Sequence, residues 1–404
     1  MQIYFRLTLL VSFLIFSGSS CDRQRDKPLE FTVIAHSPAS SEIYLGSPSM
    51  IRLGNGELLA AHDTFGPNAP KNSHDKPNRT SIYRSADDGE SWQKLCDIDD
   101  AYWSSLFELK GAVYLLGTAC KNGHIVIRRS TDFGNTWTAP GDSSNGLLFI
   151  GGPKNTPPNY HCAPVPVVIH NGRVWRAFED NAPTESKAEL VGFAKDFKSL
   201  VISADVNSDL LKASSWTMSD KLPYDQSTDR EDFGDGAGWL EGNIVITPEH
   251  EIVNILRVDS KPAVDKAAMI RVSADGKRLT FDPNTGFIDF PGGMSKFTIR
   301  YDAASQKYWT ISNNNTNPAN PAQRNVLSLF SSEDLRSWKF ERSLLRDQQD
   351  EPNLREDSKV GFQYVDWFIE GDDILFICRT AYNGAHNFHD ANYISFHRIK
   401  QATH

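Results

Sequence analysis

Apolar and polar residues alternate along short segments of the chain, and these segments recur in groups of similar layout. The first group reads SPSMIRLGNGELLAAHDT, then SIYRS, with a further short segment after Trp92. Alternation with a period of two predicts half-buried β-strands, and the Gly, Asn and Asp residues between the segments predict tight turns. The later groups are WSSLFELKGAVYLLGTA with HIVIRRS, APVPVVIHNGRVWRAFED with ELVGFAK, LEGNIVITPEHEIVNILRV with AAMIRVS, KFTIRYDAASQKYWTISN with VLSLFSS, and GFQYVDWFIEGDDILFICR with NYISFHRI.

Each group spans roughly 45 to 60 residues and holds four strands, which is the size of one β-propeller blade. The sequence therefore predicts an all-β fold: a single β-propeller of four-stranded antiparallel blades over residues 31–404. We count six blades and leave a seventh open, in an irregular stretch. The last group lacks an outer strand, and we expect the early segment Phe31–His36 (FTVIAH) to supply it and close the ring.

Two short segments share the pattern S-x-D-x-G-x-x-W, namely SADDGESW from Ser85 and STDFGNTW from Ser130. SSEDLRSW from Ser331 is a degenerate third copy, and SADGKRLTF from Ser273 is a candidate fourth. These are Asp-boxes, in which the Asp caps backbone amides, the Gly takes a positive φ and the Trp packs beneath the turn. We expect them to serve as blade turns rather than as catalytic groups.

The N-terminal residues 1–21 resemble a bacterial lipoprotein signal. Arg6 precedes LTLLVSFLIF, which is too short to span a bilayer as a mature helix, and SGSSC ends at Cys21. The resemblance implies lipidation of Cys21, a polar tether over residues 22–30, and an exported protein anchored to a bacterial membrane by lipid alone, in the periplasm or at the cell surface. A plain secretory signal is the alternative.

The net charge of −9 and the absence of a basic stripe argue against a nucleic-acid partner. A few local arginines can still hold an acidic ligand against this weak overall field. The remaining cysteines follow no disulfide framework. Cys120 and Cys162, together with His124 and His161, offer donors of the kinds that zinc prefers, although no close spacing supports a site. Zinc or calcium is therefore a side hypothesis, and no cofactor is assigned.

Propeller topology places certain positions on one face. The first strand of each blade leaves this face and the second returns to it, so residues that open first strands and close second strands surround one end of the central channel. The Asp-boxes fall at the other end. Such convergence of titratable groups predicts a ligand site. The candidates are His62, Asp63, His74, Asp75, Cys120, His124, Tyr160, His161, Cys162, Arg176, Glu179, Glu241, Arg257, Lys296, Asn313, Asn314, Asn315, Gln363, Tyr364, Arg379, Tyr382, His386 and His389.

The Asp-boxes and the blade pattern resemble the sialidase superfamily over essentially the whole chain after the signal. The resemblance implies that Glu241 and Arg257 are the glutamate and one arginine of a sialidase site, with Tyr364 as nucleophile and Asp75 as acid. The Arg-Ile-Pro opening of the first blade is missing, because SPSMIRL stands there, and Lys296 replaces another expected arginine. An incomplete carboxylate clamp speaks against true sialidase activity.

The segment Tyr160–Asp180 is similar to the propeller ulvan lyases, and related propeller α-L-rhamnosidases act on rhamnose joined to glucuronic acid. This resemblance implies β-elimination beside a uronate in a rhamnose-containing acidic polysaccharide. Arg176 would neutralise the uronate carboxylate, while His124 and Tyr160 would be base and acid in an open order. Either His161 or His62 would stand for a second histidine.

The residues assigned to substrate binding are His62, Glu241, Arg257, Lys296, Tyr364, Arg379, Tyr382 and His386. Two other functions stay open. One is a glycoside hydrolase, acting as an α-L-rhamnosidase on the rhamnose–glucuronic acid linkage or as an exo-sialidase-like enzyme. The other is a glycan-binding propeller without a poised base.

Overall fold

The computed structural model describes residues 29–152, 157–181, 194–347 and 359–400. The predicted signal with Cys21 lies outside the described residues, as does most of the predicted tether. Within the described ranges, no helix has the length and apolar character needed to cross a membrane.

The strands form six antiparallel sheets, one for each blade. Blades 1 and 2 have four strands each. Blade 1 consists of β2 (Tyr44–Arg52), β3 (Leu58–Phe65), β4 (Arg79–Ser85) and β5 (Gln93–Asp99). Blade 2 consists of β6 (Tyr102–Leu109), β7 (Ala112–Thr118), β8 (Ile125–Ser130) and β9 (Leu147–Phe149).

Blades 3 and 4 have divided strands at their edges. Blade 3 consists of β10 (Tyr160–His161), β11 (Val168–His170), β12 (Arg173–Asn181), β13 (Phe197–Asp205), β14 (Trp216–Met218) and β15 (Leu222–Pro223). Blade 4 consists of β16 (Gly238–Ile246), β17 (Ile252–Asp259), β18 (Lys266–Val272), β19 (Leu279–Thr280) and β20 (Phe287–Asp289).

Blades 5 and 6 return to four strands, and the last blade takes its outer strand from the beginning of the propeller. Blade 5 consists of β21 (Thr298–Asp302), β22 (Lys307–Asn313), β23 (Val326–Ser332) and β24 (Lys339–Arg346). Blade 6 consists of β25 (Gly361–Glu370), β26 (Asp373–Ala381), β27 (Tyr393–Lys400) and β1 (Thr32–His36). Single-turn 3-10 helices lie at Ala39–Ser41, Ala213–Ser215 and Gln226–Thr228.

The closing strand lies where the sequence predicted it. β1 pairs antiparallel with β27, with Thr32 opposite Phe396 and His36 opposite Tyr393. The all-β propeller of four-stranded blades is thus confirmed, and the blade count is six.

Blade 3 departs from the predicted continuous inner strand. Tyr160 and His161 pair antiparallel with Asp180 and Glu179, but residues 162–167 are not in a strand. The segment contains Pro164 and Pro166, which lack the N–H that a sheet ladder needs, so the strand resumes only at β11. The inner edge of this blade is therefore irregular.

The Asp-boxes form the predicted turns. The carboxylate of Asp87 accepts a hydrogen bond from the Ser91 amide at 2.9 Å, and Asp132 accepts one from the Thr136 amide at 2.9 Å. Gly89 and Gly134 take φ values of 93° and 89°. In the degenerate copy from Ser331, Leu335 takes the positive φ instead, at 63°.

Hydrophobic side chains pack between neighbouring blades, so the core is a series of sheet-to-sheet interfaces around the axis. Near the axis the blades are also joined by polar contacts. At every junction, a side chain of one blade bonds to the main chain at the inner edge of the next blade. These side chains, in blade order, are Ser49, Ser105, Glu179, Asn243, Thr298 and Asp366. Because backbone polar groups cannot stay buried without partners, this polar ring satisfies the inner strands where they approach the axis.

Candidate functional site

A repeated β-bulge opens the inner strands of blades 1, 2, 4 and 6. The pairing register slips between Leu45 and Pro48, Tyr102 and Ser105, Leu240 and Asn243, and Gln363 and Asp366. In blades 2, 4 and 6 the first residue of the bulge has a positive φ: 48° at Trp103, 59° at Glu241 and 53° at Tyr364. Such a conformation costs about 1–3 kcal/mol at a non-glycine residue and is concentrated at functional sites. The bulges turn side chains from separate blades toward the axis.

Glu241 and Tyr364 meet across the axis from blades 4 and 6. The Tyr364 hydroxyl donates a hydrogen bond to Glu241 Oε1 at 2.7 Å, and Arg257 Nη1 donates to Glu241 Oε2 at 2.9 Å. Arg257 Nε is bonded to the Met294 carbonyl at 2.8 Å, which fixes the guanidinium. The three side chains form a buried phenol–carboxylate–guanidinium chain.

The electrostatics of this chain keep the carboxylate ionised and the phenol protonated. Burial opposes ionisation of Glu241, but Arg257, His161 and the Tyr364 hydroxyl together hold the pKa of this carboxyl below its usual value. Burial and the charge of Glu241 raise the pKa of the Tyr364 phenol, which outweighs the nearby guanidinium groups. Glu241 is thus placed to accept the Tyr364 proton when the phenol oxygen reacts.

A cavity of about 530 Å³ lies over Tyr364 at this end of the channel. Its wall brings together residues of blades 1, 2 and 6. Those used below are Asp63, Phe65, Lys71, Asp75, Lys76, Trp103, Lys121, Tyr364, Arg379 and His389. The concave shape with convergent charged groups is typical of a ligand site.

Asp63 is a preorganised carboxyl in this wall. Its Oδ1 accepts a hydrogen bond from the Ser47 amide at 2.8 Å, and its Oδ2 accepts one from the Trp103 amide at 3.0 Å. Burial raises the pKa of Asp63 to about 7, although the two amides and Arg379 act in the opposite direction. A Cβ at Gly46 would lie 1.5 Å from Asp63 Oδ1. Glycine at position 46 is therefore what makes room for the carboxyl.

Arg379 supplies a fixed cation on the other side of the cavity. Its guanidinium carbon lies 4.6 Å from the ring centre of Phe65 and 5.1 Å from that of Tyr364, and its Nη2 donates to the His389 carbonyl. Arginine held against aromatic faces keeps its planar fork oriented for a carboxylate. Together with Lys71, Lys76 and Lys121, Arg379 gives this wall more cationic than acidic side chains.

Asp75 and Lys296, both assigned from the sialidase resemblance, have different environments. Asp75 lines the cavity but is exposed, and its Oδ1 pairs with Lys71 Nζ at 3.1 Å. Lys296 is buried, and its Nζ donates to Thr298 Oγ1 at 2.5 Å and to the Val365 carbonyl at 2.7 Å. Burial lowers the pKa of Lys296 to about 8. Lys296 thus ties blade 5 to blade 6 beneath the cavity.

Arg176 lies inside the propeller. Its side chain is fully buried, and Nη2 donates to the Trp103 carbonyl at 3.1 Å, to Ser105 Oγ at 3.1 Å and to the Ala163 carbonyl at 3.0 Å. Its guanidinium carbon also lies 4.6 Å from the ring centre of Phe178. These contacts join blades 2 and 3.

Tyr160 is a core residue of the interface between blades 2 and 3. Burial and the Asp180 carboxylate raise the pKa of the Tyr160 phenol to about 12. Lys221 Nζ lies 5.1 Å from the centre of the Tyr160 ring, but it does not reverse this shift. His124 is near Tyr160 in the fold, because the preceding Gly123 forms a β-bridge with Tyr160. His124 Nδ1 accepts a hydrogen bond from the Gly151 amide at 2.9 Å, and burial lowers its pKa.

His161 lies closer to the bulge residues. Its Nδ1 is 2.8 Å from Glu179 Oε2, and its ring packs against Trp103 with centroids 4.4 Å apart. His161 is also among the groups that hold the pKa of Glu241 below its usual value, which links it electrostatically to the phenol–carboxylate–guanidinium chain.

The other predicted binding residues lie outside the cavity wall. His62 is buried and stacks on Tyr83 with centroids 5.4 Å apart, and burial lowers its pKa to about 4. The Tyr382 ring packs against Phe31. His386 is exposed at the rim, where its Nδ1 lies 2.7 Å from Asp390 Oδ2.

The two cysteines considered for a metal do not form a ligand cluster. Cys162 is buried, and its Sγ donates to the Trp103 carbonyl at 3.2 Å. Burial raises the pKa of the Cys162 thiol to about 12 and also raises the pKa of the Cys120 thiol. Over residues 29–152, 157–181, 194–347 and 359–400, no group of three or more His, Cys, Asp or Glu side chains could hold a metal ion.

Sequence reasoning placed Asp63 and His389 on the correct face but gave neither a role, and it missed Trp103. The available signal was Gly46, because a glycine at this position leaves space for the neighbouring carboxyl. The bulges themselves leave no simple sequence pattern, since Trp, Glu and Tyr are all unusual at positive φ.

No family model and no curated protein matches the sequence. Solved structures do. An α-L-arabinanase of Penicillium chrysogenum in complex with arabinobiose aligns with a TM-score of 0.55 at 14% identity, covering 92% of this chain and 98% of its own. A mutant α-L-arabinofuranosidase of Fusarium graminearum in complex with an iminosugar inhibitor aligns with a TM-score of 0.58 at 13% identity, covering 92% and 98%.

The intramolecular trans-sialidase of Ruminococcus gnavus, in complex with oseltamivir carboxylate, aligns with a TM-score of 0.53 at 14% identity, covering 91% of this chain and 97% of its own. At these identities the likeness shows the fold alone, which is the six-bladed propeller described above. The resemblance to ulvan lyases and rhamnosidases stays a prediction.

Proposed function

We propose that the protein is a glycoside hydrolase that cleaves an acidic glycan in the cavity over Tyr364. The observation that carries the proposal is the 2.7 Å hydrogen bond from Tyr364, in the cavity wall, to the buried Glu241 carboxylate. The solved relatives described as an arabinanase, an arabinofuranosidase and a trans-sialidase support a carbohydrate substrate, because they share this propeller.

The reaction uses Tyr364, Glu241 and Asp63. The phenol oxygen of Tyr364 attacks the anomeric carbon while Glu241 takes its proton, and Asp63 in its protonated form donates a proton to the departing glycosidic oxygen. Water then enters, Asp63 takes a proton from it, and the bond from the anomeric carbon to the phenol oxygen breaks while Glu241 returns the proton. A carboxyl with a pKa near neutrality suits both roles of Asp63.

The charge of the cavity supports an acidic sugar. Arg379 offers a planar fork for a carboxylate, and three lysines line the same cavity. The anion is assigned to Arg379, because the carboxyl of Asp63 carries out proton transfer in this scheme. A uronic acid in a rhamnose-containing polysaccharide meets this requirement, and we retain it as the proposed substrate.

A lyase cut of the same polysaccharide is the second candidate, favoured by the neighbouring Arg379 and His389. Arg379 would neutralise a uronate carboxylate and His389 would accept the adjacent ring proton, while the protonated Tyr364 faces the leaving oxygen. In this second candidate reaction, Tyr364, Arg379 and His389 would take the roles that the sequence assigned to Tyr160, His124 and Arg176.

The test measures cleavage of ulvan, rhamnose-capped arabinogalactan and sialosides by two readouts, reducing sugar and absorbance near 235 nm. Tyr364→Phe should lower hydrolysis of a responsive glycan by at least about a thousandfold, within the range for loss of a nucleophile. Tyr160→Phe, which removes the same atom from a core tyrosine, is the matched control. Hydrolysis that survives Tyr364→Phe overturns the proposal. Unsaturated product absorbing near 235 nm replaces it with the lyase, and no cleavage of any of these glycans rejects both reactions.

A further inference from the structure

Asp390 holds two imidazoles at the rim of the cavity. Its Oδ1 lies 2.9 Å from His389 Nδ1, and its Oδ2 lies 2.7 Å from His386 Nδ1. His389 belongs to the cavity wall, and its side chain is 56% exposed. Neither the hydrolytic scheme above nor the predicted binding set gives this pair of residues, Asp390 and His389, a role.

The ring of His389 is fixed on several sides. Its edge packs against Phe65 with ring centroids 5.3 Å apart, and its carbonyl accepts a hydrogen bond from Arg379 Nη2. Phe65 also carries the guanidinium of Arg379 on its face. The imidazole and the guanidinium are therefore held as one unit around a shared aromatic ring.

The bond to Asp390 determines which ring nitrogen is available. A carboxylate partner accepts a hydrogen bond from Nδ1–H, so the proton stays on Nδ1 and Nε2 is left as an acceptor, which is how carboxylate–histidine pairs set a tautomer. Several charged groups act on the ring. Partial desolvation of the ring, Arg379 and Arg324 lower the pKa of His389, and Asp390 works against them, so the net effect favours the neutral imidazole.

We propose that His389 Nε2 accepts a hydrogen bond from a hydroxyl of the acidic sugar whose carboxylate is held by Arg379. Asp390 is then a positioning residue, and the pair selects a sugar that carries a hydroxyl close to its carboxylate. This inference rests on the proposed function for its substrate class, but it concerns binding and not bond cleavage.

The test is direct binding to the Tyr364→Phe variant of the full chain, which separates affinity from catalysis. The probes are the methyl glycosides of glucuronic acid and of N-acetylneuraminic acid, with methyl glucoside as the uncharged comparison, titrated by calorimetry or saturation-transfer NMR. His389→Ala should raise the Kd for one acidic probe by about tenfold, the loss of one hydrogen bond to a neutral acceptor. His36→Ala is the control, since His36 is another exposed histidine packed on an aromatic ring, at Tyr393.

The pH dependence distinguishes this role from a structural one. Protonation of Nε2 removes the acceptor. The Kd measured in the Tyr364→Phe protein should therefore rise as the pH falls through the His389 titration. This rise in Kd at low pH, the acid limb of the pH profile, should vanish when His389→Ala is added. Asp390→Asn removes the charge that favours the imidazolium, so the limb should move to lower pH. The inference is overturned if the acid limb of the pH profile is unchanged in both variants, or if His389→Ala and His36→Ala change the Kd equally. It is also overturned if no acidic probe binds. If the probes bind as expected while Tyr364→Phe still cleaves glycans, the hydrolytic scheme fails and the His389 inference stands.

Discussion

Glu241 and Arg257 form a buried ion pair directly beneath the proposed nucleophile, and this pair provides a quantitative test of the site. The side chains of Arg257 and Glu241 are only 12% and 3% exposed. Glu241→Gln leaves the guanidinium bonded to the Met294 carbonyl without its ionic partner, while Arg257→Met leaves the carboxylate bonded to Tyr364 without its guanidinium partner.

The expected magnitudes follow from the cost of an unpaired buried charge. Breaking a buried pair by removing one partner costs about 3–5 kcal/mol, whereas replacing both partners with groups of similar volume is often nearly neutral. Each single variant should therefore lose about 3–5 kcal/mol of unfolding free energy. The double variant Glu241→Gln/Arg257→Met should lose much less than the sum, giving a coupling of at least about 2 kcal/mol.

The assay is urea unfolding of the four proteins, followed by tryptophan fluorescence at constant pH and salt. Asp99→Asn is the control, because the Arg79–Asp99 pair has a similar distance of 2.8 Å but side chains that are 33% and 59% exposed. That variant should lose less than about 1 kcal/mol. If the losses of unfolding free energy in the two single variants add up to the loss in the double variant, the reasoning is refuted. Additivity would mean that the charges of Glu241 and Arg257 do not interact.

Three further predictions concern the cavity wall and the axis. Gly46→Ala should displace the Asp63 carboxyl and reduce glycan cleavage at least about tenfold, whereas Gly141→Ala, whose added Cβ meets nothing within 4 Å, should be neutral in the same assay. The pKa of Asp63 is raised to about 7 from an ordinary value of 3.8, so its stabilising contribution is complete below about pH 4 and is lost as the pH rises through 7. Unfolding measured against pH should show this loss in the parent and not in Asp63→Asn. Asp366→Ala breaks the bonds that join blade 6 to blades 1 and 5 and should cost about 3–5 kcal/mol by denaturant unfolding, against less than about 1 kcal/mol for the exposed Asp289→Ala.

The fold could be predicted from the sequence because a propeller is built from local repeats. Strand alternation and the Asp-box turns are short-range signals, and both the six blades and the closing strand at Thr32–His36 followed from them. The exception is the inner edge of blade 3, where Pro164 and Pro166 interrupt a segment whose apolar pattern alone predicted one strand.

The sequence predicted which face of the propeller carries the candidate site, but only some of the side chains that meet there. The sialidase resemblance paired Glu241 with Arg257 and named Tyr364, and these three are hydrogen-bonded. A residue's position at the end of a strand does not reveal how deeply its side chain lies along the channel axis, because that depth depends on the tertiary structure. Arg176 and Arg379 occupy similar positions in the sequence pattern of their blades. In the structure, however, Arg176 is buried between blades and Arg379 lines the cavity.

Completion of blade 6 by β1 has a consequence for how the chain is made. β1 is the first strand of the propeller to leave the ribosome, and its partner β27 is the last. β1 therefore stays unpaired while the other five blades emerge. Joining segments so distant along the chain is slow and entropically costly. A nascent chain stalled before Tyr393–Lys400 would therefore expose two open sheet edges at once, β1 and β26, and each is a template for pairing with another molecule.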